Sequence, residues 1–394
     1  MALKDILKNI NKTLKADVAT IGVTDLAERG KLSFGTPSLD FITYNNLIEG
    51  SFIELSGLES SGKTTLAFLL ASNYIKKELE RNPESPRAIL YCDAESTADR
   101  NWALSAAGYD MNHPEIPTIY IPNNGQSAET WFDLVIDSVA TGEIGLVIFD
   151  SLTMMVGQQV QGESLEKKQM GGASGPIGDF CKRATGVFIR NKCTFIGING
   201  LTENLTGYGD KYQTPGGRTW KRSCSYRMRV KQGDFFDIDG NILAKKDAQS
   251  PAGHVIEVYL EKIKTARWDR KLGTTNLNYT YGLDIMQDTI DTAIRLDLID
   301  NSVQGSFRLI DVDTGEILHD KDGNEIKIRG KRNIKPYFQE HPEIFKQLYN
   351  KCYEMMERKD DTNIVSFEKL LGVDVDQFIT PDETVDSENL FPVN

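Results

Sequence analysis

The sequence predicts an α/β protein with a mostly parallel central sheet, preceded by an N-terminal helix and followed by a small α+β unit. Three observations carry that reading. Between about Lys31 and Asp284 short apolar runs alternate with helical stretches, the pattern that builds a parallel sheet. Later in that region strands follow one another with little helix between them, which calls for an antiparallel portion. After Asp284 the texture changes to helix, hairpin and helix.

Taken in order, Leu3, Ile6, Leu7, Ile10 and Leu14 share one face of an amphipathic helix, and that stripe must be covered by the core or by another subunit. The runs FIELS, AILYCD, TIYIP, LVIFD, TFIGIN, SYRMRV and VIEVYLE read as strands. TTLAFLLASNYI, RNWALSAAG and AETWFDLVIDSVA read as helices. Further on, TIDTAIRLDLI is helical, FRLIDVDTGEIL and DKDGNEIKIRG resemble a hairpin with Gly turns, and HPEIFKQLYNKCYEMMERK is a helix again. Beyond Lys369 there is no basic residue, while Asp374, Asp376, Asp382, Glu383, Asp386 and Glu388 accumulate, so a solvated acidic tail is expected. The expected units are 1–31, an N-terminal helix and arm; 32–285, the α/β core; 286–369, a small α+β domain; and 370–394, the tail.

Composition narrows the function classes. At 394 residues with 40% hydrophobic and 26% charged side chains, the chain can bury a full core. A net charge of −12 excludes a wholesale polycation but leaves room for a local basic groove. The five cysteines show no CxxC spacing and the four histidines no ligand pattern, so reduced thiols and no structural zinc are expected. MALKDILKNINKTLK lacks the continuous apolar run of a signal peptide, and no segment reaches the roughly twenty apolar residues of a membrane span. A cytoplasmic location is the expectation.

The chemistry begins at GLESSGKTTL, Gly57 to Leu66, which sits between an apolar strand and a helical run. Gly57 and Gly62 let the loop turn its N–H groups inward at a helix N-terminus, where phosphate is favoured. Lys63 would reach the β- and γ-phosphates and the Thr64 hydroxyl would ligate Mg²⁺. Asp150 ends the strand LVIFD and is the expected second Mg²⁺ ligand. Asp93 and Glu95 follow another strand, and Glu95 is the candidate base that orients the attacking water. The reading of these residues alone is nucleotide binding.

GLESSGKTTL, YCDAE, LVIFDS, GIN, TPGGRTWK and EKIK, in this order and at these approximate spacings, resemble the bacterial RecA recombinases over roughly Leu32 to Arg358. The resemblance implies a RecA-type P-loop ATPase core, with ATP and Mg²⁺ bound between subunits of a helical filament on single-stranded DNA. It implies pairing with homologous double-stranded DNA, and single-strand-binding and mediator proteins as further partners. By position, Gly57, Leu58, Glu59, Ser60, Ser61, Gly62, Lys63, Thr64 and Thr65 resemble the phosphate loop. Glu95 resembles the catalytic carboxylate and Asp150 the Mg²⁺ carboxylate. Trp102 falls where the family has an aromatic residue against the adenine, Asp99 beside the adenine amino group, and Asn199 at the end of GIN. Lys262 and Lys264 resemble a cationic finger that reaches the neighbouring subunit's ATP. ADVATIGV, after the first helix, resembles a polymerisation arm added to a neighbour's sheet.

Two glycine-rich stretches line up with the family's DNA loops, GQQVQGESLEKKQMGG and LTENLTGYGDKYQTPGG. Gly216 and Gly217 offer N–H groups to phosphates, and Tyr208 or Tyr212 a face to bases. Lys167, Lys168, Lys211, Arg218, Lys221, Arg227, Arg229 and Lys231 would supply positive lining. The chain also departs from the family pattern. Gly200 stands where a Gln senses the γ-phosphate, Glu203 opens the second loop, and Glu257 and Tyr259 replace basic residues; in these it looks like a phage-type relative. A ring helicase on the same core, and a nucleotide-gated assembly protein without DNA, remain the alternatives. Truncation after Lys369 is expected to tighten binding to single-stranded DNA at low salt, with the gain shrinking as salt rises. Unchanged affinity in a low-salt titration would leave the tail without that role.

Overall fold

The computed structural model describes residues 3–14, 29–161, 173–204, 211–244, 248–311, 314–319 and 323–361. Nine strands make one continuous path: β1 (Phe52–Ser56), β2 (Ala88–Asp93), β3 (Thr118–Pro122), β4 (Ile144–Asp150), β5 (Thr194–Asn199), β6 (Tyr226–Phe236), β7 (Gly253–Ile263), β8 (Leu272–Asn278) and β9 (Gly282–Leu283). Their spatial order is β9-β8-β7-β6-β1-β5-β4-β2-β3. From β6 to β3 every pairing is parallel. From β6 to β9 every pairing is antiparallel. The mixed sheet expected from the sequence is the observed one.

The central strands are buried along their whole length, β1, β4 and β5 alike, as a parallel sheet covered on both faces requires. Alternation splits their side chains between two cores. Ile53, Leu55, Leu146, Ile148, Ile196 and Ile198 pack beneath α3 (Lys63–Arg81). Phe52, Val147, Phe149 and Phe195 point the other way, under α5 (Ala128–Ala140) and α6 (Ser174–Arg190). That second core is aromatic: Phe132 and Phe180 stack at 4.5 Å, and Phe52 stacks on Phe180 at 5.8 Å. The helix α6 escaped the sequence reading because its Gly175, Pro176, Gly178 and Gly186 mask its periodicity. Strand β8 escaped because LGTTNLN carries only two apolar residues.

The N-terminal helix α1 (Leu3–Leu14) forms as expected, and Ile6 and Ile10 on it are 43% exposed. Of two shorter helices, α4 (Arg100–Ala107) packs on α3 and α2 (Pro37–Ile42) packs on β8. After β9, α8 (Ile285–Arg295), a three-stranded antiparallel sheet and α9 (Pro342–Asp361) surround a third core that includes Ile290, Leu309, Phe338 and Met356. Buried polar contacts tie this region to the first: Ser38 N donates to Asp288 Oδ2 at 2.9 Å and Tyr353 OH to Asp40 Oδ2 at 2.7 Å. All five cysteines are free and buried. Cys92, Cys181, Cys193 and Cys224 lie in the aromatic core and Cys352 in the third one. No helix among the described residues is long and apolar enough to cross a membrane.

At the C-terminal end of α3, buried Glu78 accepts from Arg87 Nε at 2.7 Å, Asn82 Nδ2 at 2.9 Å and Arg81 Nη2 at 2.5 Å. Burial alone would raise its pKa, but these donors prevail and hold it at about 2. The folded state therefore prefers the ionised carboxylate, and the stability this supplies is present above the usual Glu pKa of 4.5 and lost as pH falls toward 2. Glu78→Gln should be less stable than the wild type at pH 7, and the gap should close on acidification. Urea melts at several pH values check this; a pH-independent gap would deny the charged role.

Candidate functional site

The phosphate loop joins β1 to α3 at the C-terminal end of the parallel strands. A Cβ on Gly57 would lie 2.3 Å from the Val230 carbonyl oxygen, so no other residue fits. Gly62, the N-cap of α3, has φ +94°, and a Cβ there would meet Ile256 Cδ1 at 2.6 Å. No side chain caps this helix, so its first N–H groups remain for an anion. Ser61 Oγ is buried and unpaired at the same place. An orphan hydroxyl beside an uncapped helix start suits a phosphate. Leu58, Glu59 and Ser60 form the exposed outer turn, and Thr65 is buried beneath it. The Lys63 ammonium donates to the Leu58 carbonyl at 2.7 Å. Burial lowers its pKa, opposed by Asp150, Glu95 and Glu59.

Thr64 Oγ1 donates to Asp150 Oδ2 at 2.8 Å, and Tyr91 OH approaches the same oxygen at 3.3 Å. Burial pushes the Asp150 carboxyl up to about 6; the Thr64 bond opposes that, while Glu95 and Asp93 add to it. A hydroxyl and one carboxylate form the hard-oxygen pair that Mg²⁺ takes together with substrate phosphates. Among the described residues no cluster of three or more His, Cys, Asp or Glu could cage a metal alone. Glu95 stands beside this pair. Its Oε1 accepts from Ser151 Oγ at 2.6 Å, and its N–H and that of Ala94 donate to the Asp150 carbonyl at 3.2 and 2.6 Å. The structure thus brings together Lys63, Thr64, Asp150 and Glu95.

A cleft of 410 Å³ opens beside the loop, lined by Ser60 to Thr65, Trp102, Gln232, His254, Leu277 and Tyr279. Trp102 is half-buried there. Asp99 caps α4, with Oδ1 accepting from Asn101 N at 2.7 Å and Trp102 N at 3.1 Å. The last four lining residues were not singled out from sequence. Strand register places them: Gln232 pairs with Ile256 and His254 with Leu277, on the face that meets Gly62. Alternation within β7 is the signal that could have found them.

Two of the expected site residues are engaged within the protein. Asn199 is fully buried and does not line the cleft. Its Nδ2 donates to Glu54 Oε1 at 3.0 Å and to the Pro215 carbonyl at 3.1 Å, and its Oδ1 accepts from Thr153 at 3.0 Å. With both amide protons used, it fastens the second loop's base. Gly200 donates its N–H to Thr153 Oγ1 at 2.6 Å. Arg227, expected at the DNA, has its guanidinium 2.5 Å from Glu54 and 3.0 Å from Glu261, with 15% of the side chain exposed. Arg229 likewise pairs with Glu261 at 2.5 Å.

Lys167, Lys168 and Tyr208 lie outside the described residues. Tyr212 pairs with Glu203 in a short two-stranded ladder, and Lys211 sits 3.9 Å from Glu203. Gly216 and Gly217, at φ +95° and +73°, start α7 (Gly217–Ser223), where Arg218 is exposed and Lys221 half-buried. Lys231 is exposed, 4.2 Å over the Tyr259 ring. Lys262 and Lys264 converge on the C-terminal end of α7: Lys262 donates to the carbonyls of Lys221 and Arg222 at 2.6 and 3.1 Å, Lys264 to that of Arg222 at 2.8 Å.

Comparison with known proteins gives one consistent result. The family described as the RecA N-terminal domain matches residues 1–282. Protein RecA of Staphylococcus carnosus is 25% identical over 361 residues, 90% of each chain. Protein RecA of a Nitratiruptor species is 25% identical over 92% of this chain and 96% of its own. That of Aquifex pyrophilus is 26% identical over 92% and 95%. A solved structure, the crystal structure of the RadB recombinase, aligns with 64% of this chain and 98% of its own at 17% identity and a TM-score of 0.45.

Lys63→Ala is expected to abolish ATP binding, because it removes the loop's one cation from the phosphate site. Calorimetric titration checks this, and wild-type affinity in the variant would place the nucleotide elsewhere.

Proposed function

The chain belongs to the RecA family, and from that premise we propose that it is an ATP-dependent recombinase that forms helical filaments on single-stranded DNA. In this reading it pairs that strand with homologous double-stranded DNA, hydrolyses ATP at subunit interfaces and works in the cytoplasm. The observation that carries the reading is the cluster of Lys63, Thr64, Asp150 and Glu95 around an uncapped helix start.

Each residue has a task its surroundings favour. The N–H groups of residues 62–65 and the Lys63 ammonium hold the β- and γ-phosphates. Thr64 and Asp150 would hold Mg²⁺, which neutralises phosphate oxygens when bound. Glu95 orients and deprotonates water, and Ser151 fixes the carboxylate in place for it. Trp102 offers its face to the base. Lys262 and Lys264 serve the neighbour's active site, where charge gathers on the γ-phosphate.

Assembly has its own support. The exposed Ile6 and Ile10 on α1 need an apolar partner. β3 ends the sheet with Ile119 and Tyr120 exposed at 47% and 45%, and its open edge can accept a strand from another subunit. For DNA, Arg218 and the N–H groups at Gly216 and Gly217 are the described groups best placed to meet phosphates. Single-strand-binding and mediator proteins would act on the assembled filament.

Electron microscopy with ATP and single-stranded DNA tests the assembly. Helical filaments are expected; closed rings would indicate a helicase, and neither form an assembly protein without DNA. Glu95→Gln should keep ATP and DNA binding while slowing hydrolysis by about two to four powers of ten. The double variant Lys262→Ala, Lys264→Ala should lose DNA-stimulated hydrolysis. Mixing the two variants should recover turnover, because some interfaces then join an intact Glu95 to intact lysines. Mixed filaments without recovery would reject the contact in trans.

A further inference from the structure

Two buried polar atoms belong to residues lining the cleft and have no partner: Ser61 Oγ and His254 Nε2. Phosphate accounts for the first. The second sits on a ring that is 4% exposed, and a buried ring nitrogen left unpaired is costly. His254 stands two residues before Ile256 on β7, so both face the phosphate loop, and Ile256 abuts Gly62. Its Nδ1 lies 2.9 Å from Tyr279 OH, and its ring packs against Tyr279 at 5.6 Å and Phe235 at 6.2 Å. Trp102 and Leu277 line the same cleft. Trp102, Tyr279 and the His254 ring give this part of the cleft the flat faces that the base of a nucleotide takes.

We propose that His254 is a specificity-determining residue whose Nε2 is completed by a polar atom on the edge of the purine base. The inference rests on the nucleotide reading above and deepens it. The Tyr279 hydroxyl occupies Nδ1, so Nε2 is the ring atom left for a ligand. Burial lowers the imidazole's pKa and so keeps the ring neutral. A neutral imidazole carries its one proton on either nitrogen, so the partner of Nε2 on adenine is a ring nitrogen that accepts or the exocyclic amine that donates. Tyr279 is a positioning residue here, since it holds the ring through Nδ1.

The test titrates the full-length chain by calorimetry with Mg-ATP and with magnesium tripolyphosphate, which has the phosphates and no base. His254→Phe should weaken ATP about tenfold and leave tripolyphosphate within about twofold. His254→Gln, which keeps a donor, should recover part of the loss. With wild-type protein, ATP analogues carrying carbon for N1, N3 or N7, or lacking the exocyclic amine, should include one that binds about tenfold more weakly, and His254→Phe should not distinguish it from ATP. Equal weakening of ATP and tripolyphosphate, or wild-type ATP affinity in His254→Phe, overturns the proposal. Wild-type protein that binds tripolyphosphate and ATP equally also overturns it. Wild-type protein that binds neither overturns the nucleotide reading itself.

Discussion

A single buried carboxylate organises the working end of this molecule. Glu54, in the middle of β1 and wholly out of water, accepts from Arg227 Nε at 2.5 Å, Trp220 Nε1 at 2.6 Å and Asn199 Nδ2 at 3.0 Å. A charge in that position is tolerated only when it is paired and hydrogen-bonded, and removing one partner strands the others. Each donor belongs to a different element: β6, α7 and β5. The phosphate loop starts at Gly57, whose N–H donates to the Asn199 carbonyl at 3.2 Å. Asn199 also holds Pro215, where the second glycine-rich stretch returns to the fold. The strand that launches the phosphate loop and the base of that stretch are therefore fixed by one set of hydrogen bonds.

This arrangement redistributes the chain's positive charge. Arg227 and Arg229 fall in a basic stretch of sequence, yet both are committed to carboxylates, Glu54 and Glu261. Lys262 and Lys264 gather at the carbonyl end of α7, which positions them side by side. The cations left toward solvent near the second loop include Arg218 and Lys231. In a protein of net charge −12, such local groups count for more than the total.

The sheet and the phosphate loop were legible because both are local signals. An apolar run ending in Asp150, or glycines ahead of a helix, can be read within ten residues. The partners of Glu54 could not be read that way, since Arg227 lies 173 positions away. Arg227 therefore reads locally as a nucleic-acid contact, and its observed partners are Glu54 and Glu261. His254 was invisible for a related reason: a lone histidine in a strand reads as core until register places Leu277 and Ile256 around it. Asp99 shows the opposite case. An acid directly before a helical run is a cap by local rules, and so it is here.

The distribution of thiols gives the protein an internal reporter of its own opening. Burial pushes the Cys181 thiol up to about 11 and the Cys352 thiol up to about 12, and both are shielded, so an alkylating reagent must wait for a fluctuation. Four of the cysteines sit in the aromatic core and Cys352 sits alone beyond β9. Modification at Cys352 before the others would mark the C-terminal region as a separate cooperative unit. Simultaneous modification of all five would mean that the contacts of Asp40 and Asp288 weld it to the rest. The order of alkylation, read by mass, is thus a map of which core yields first.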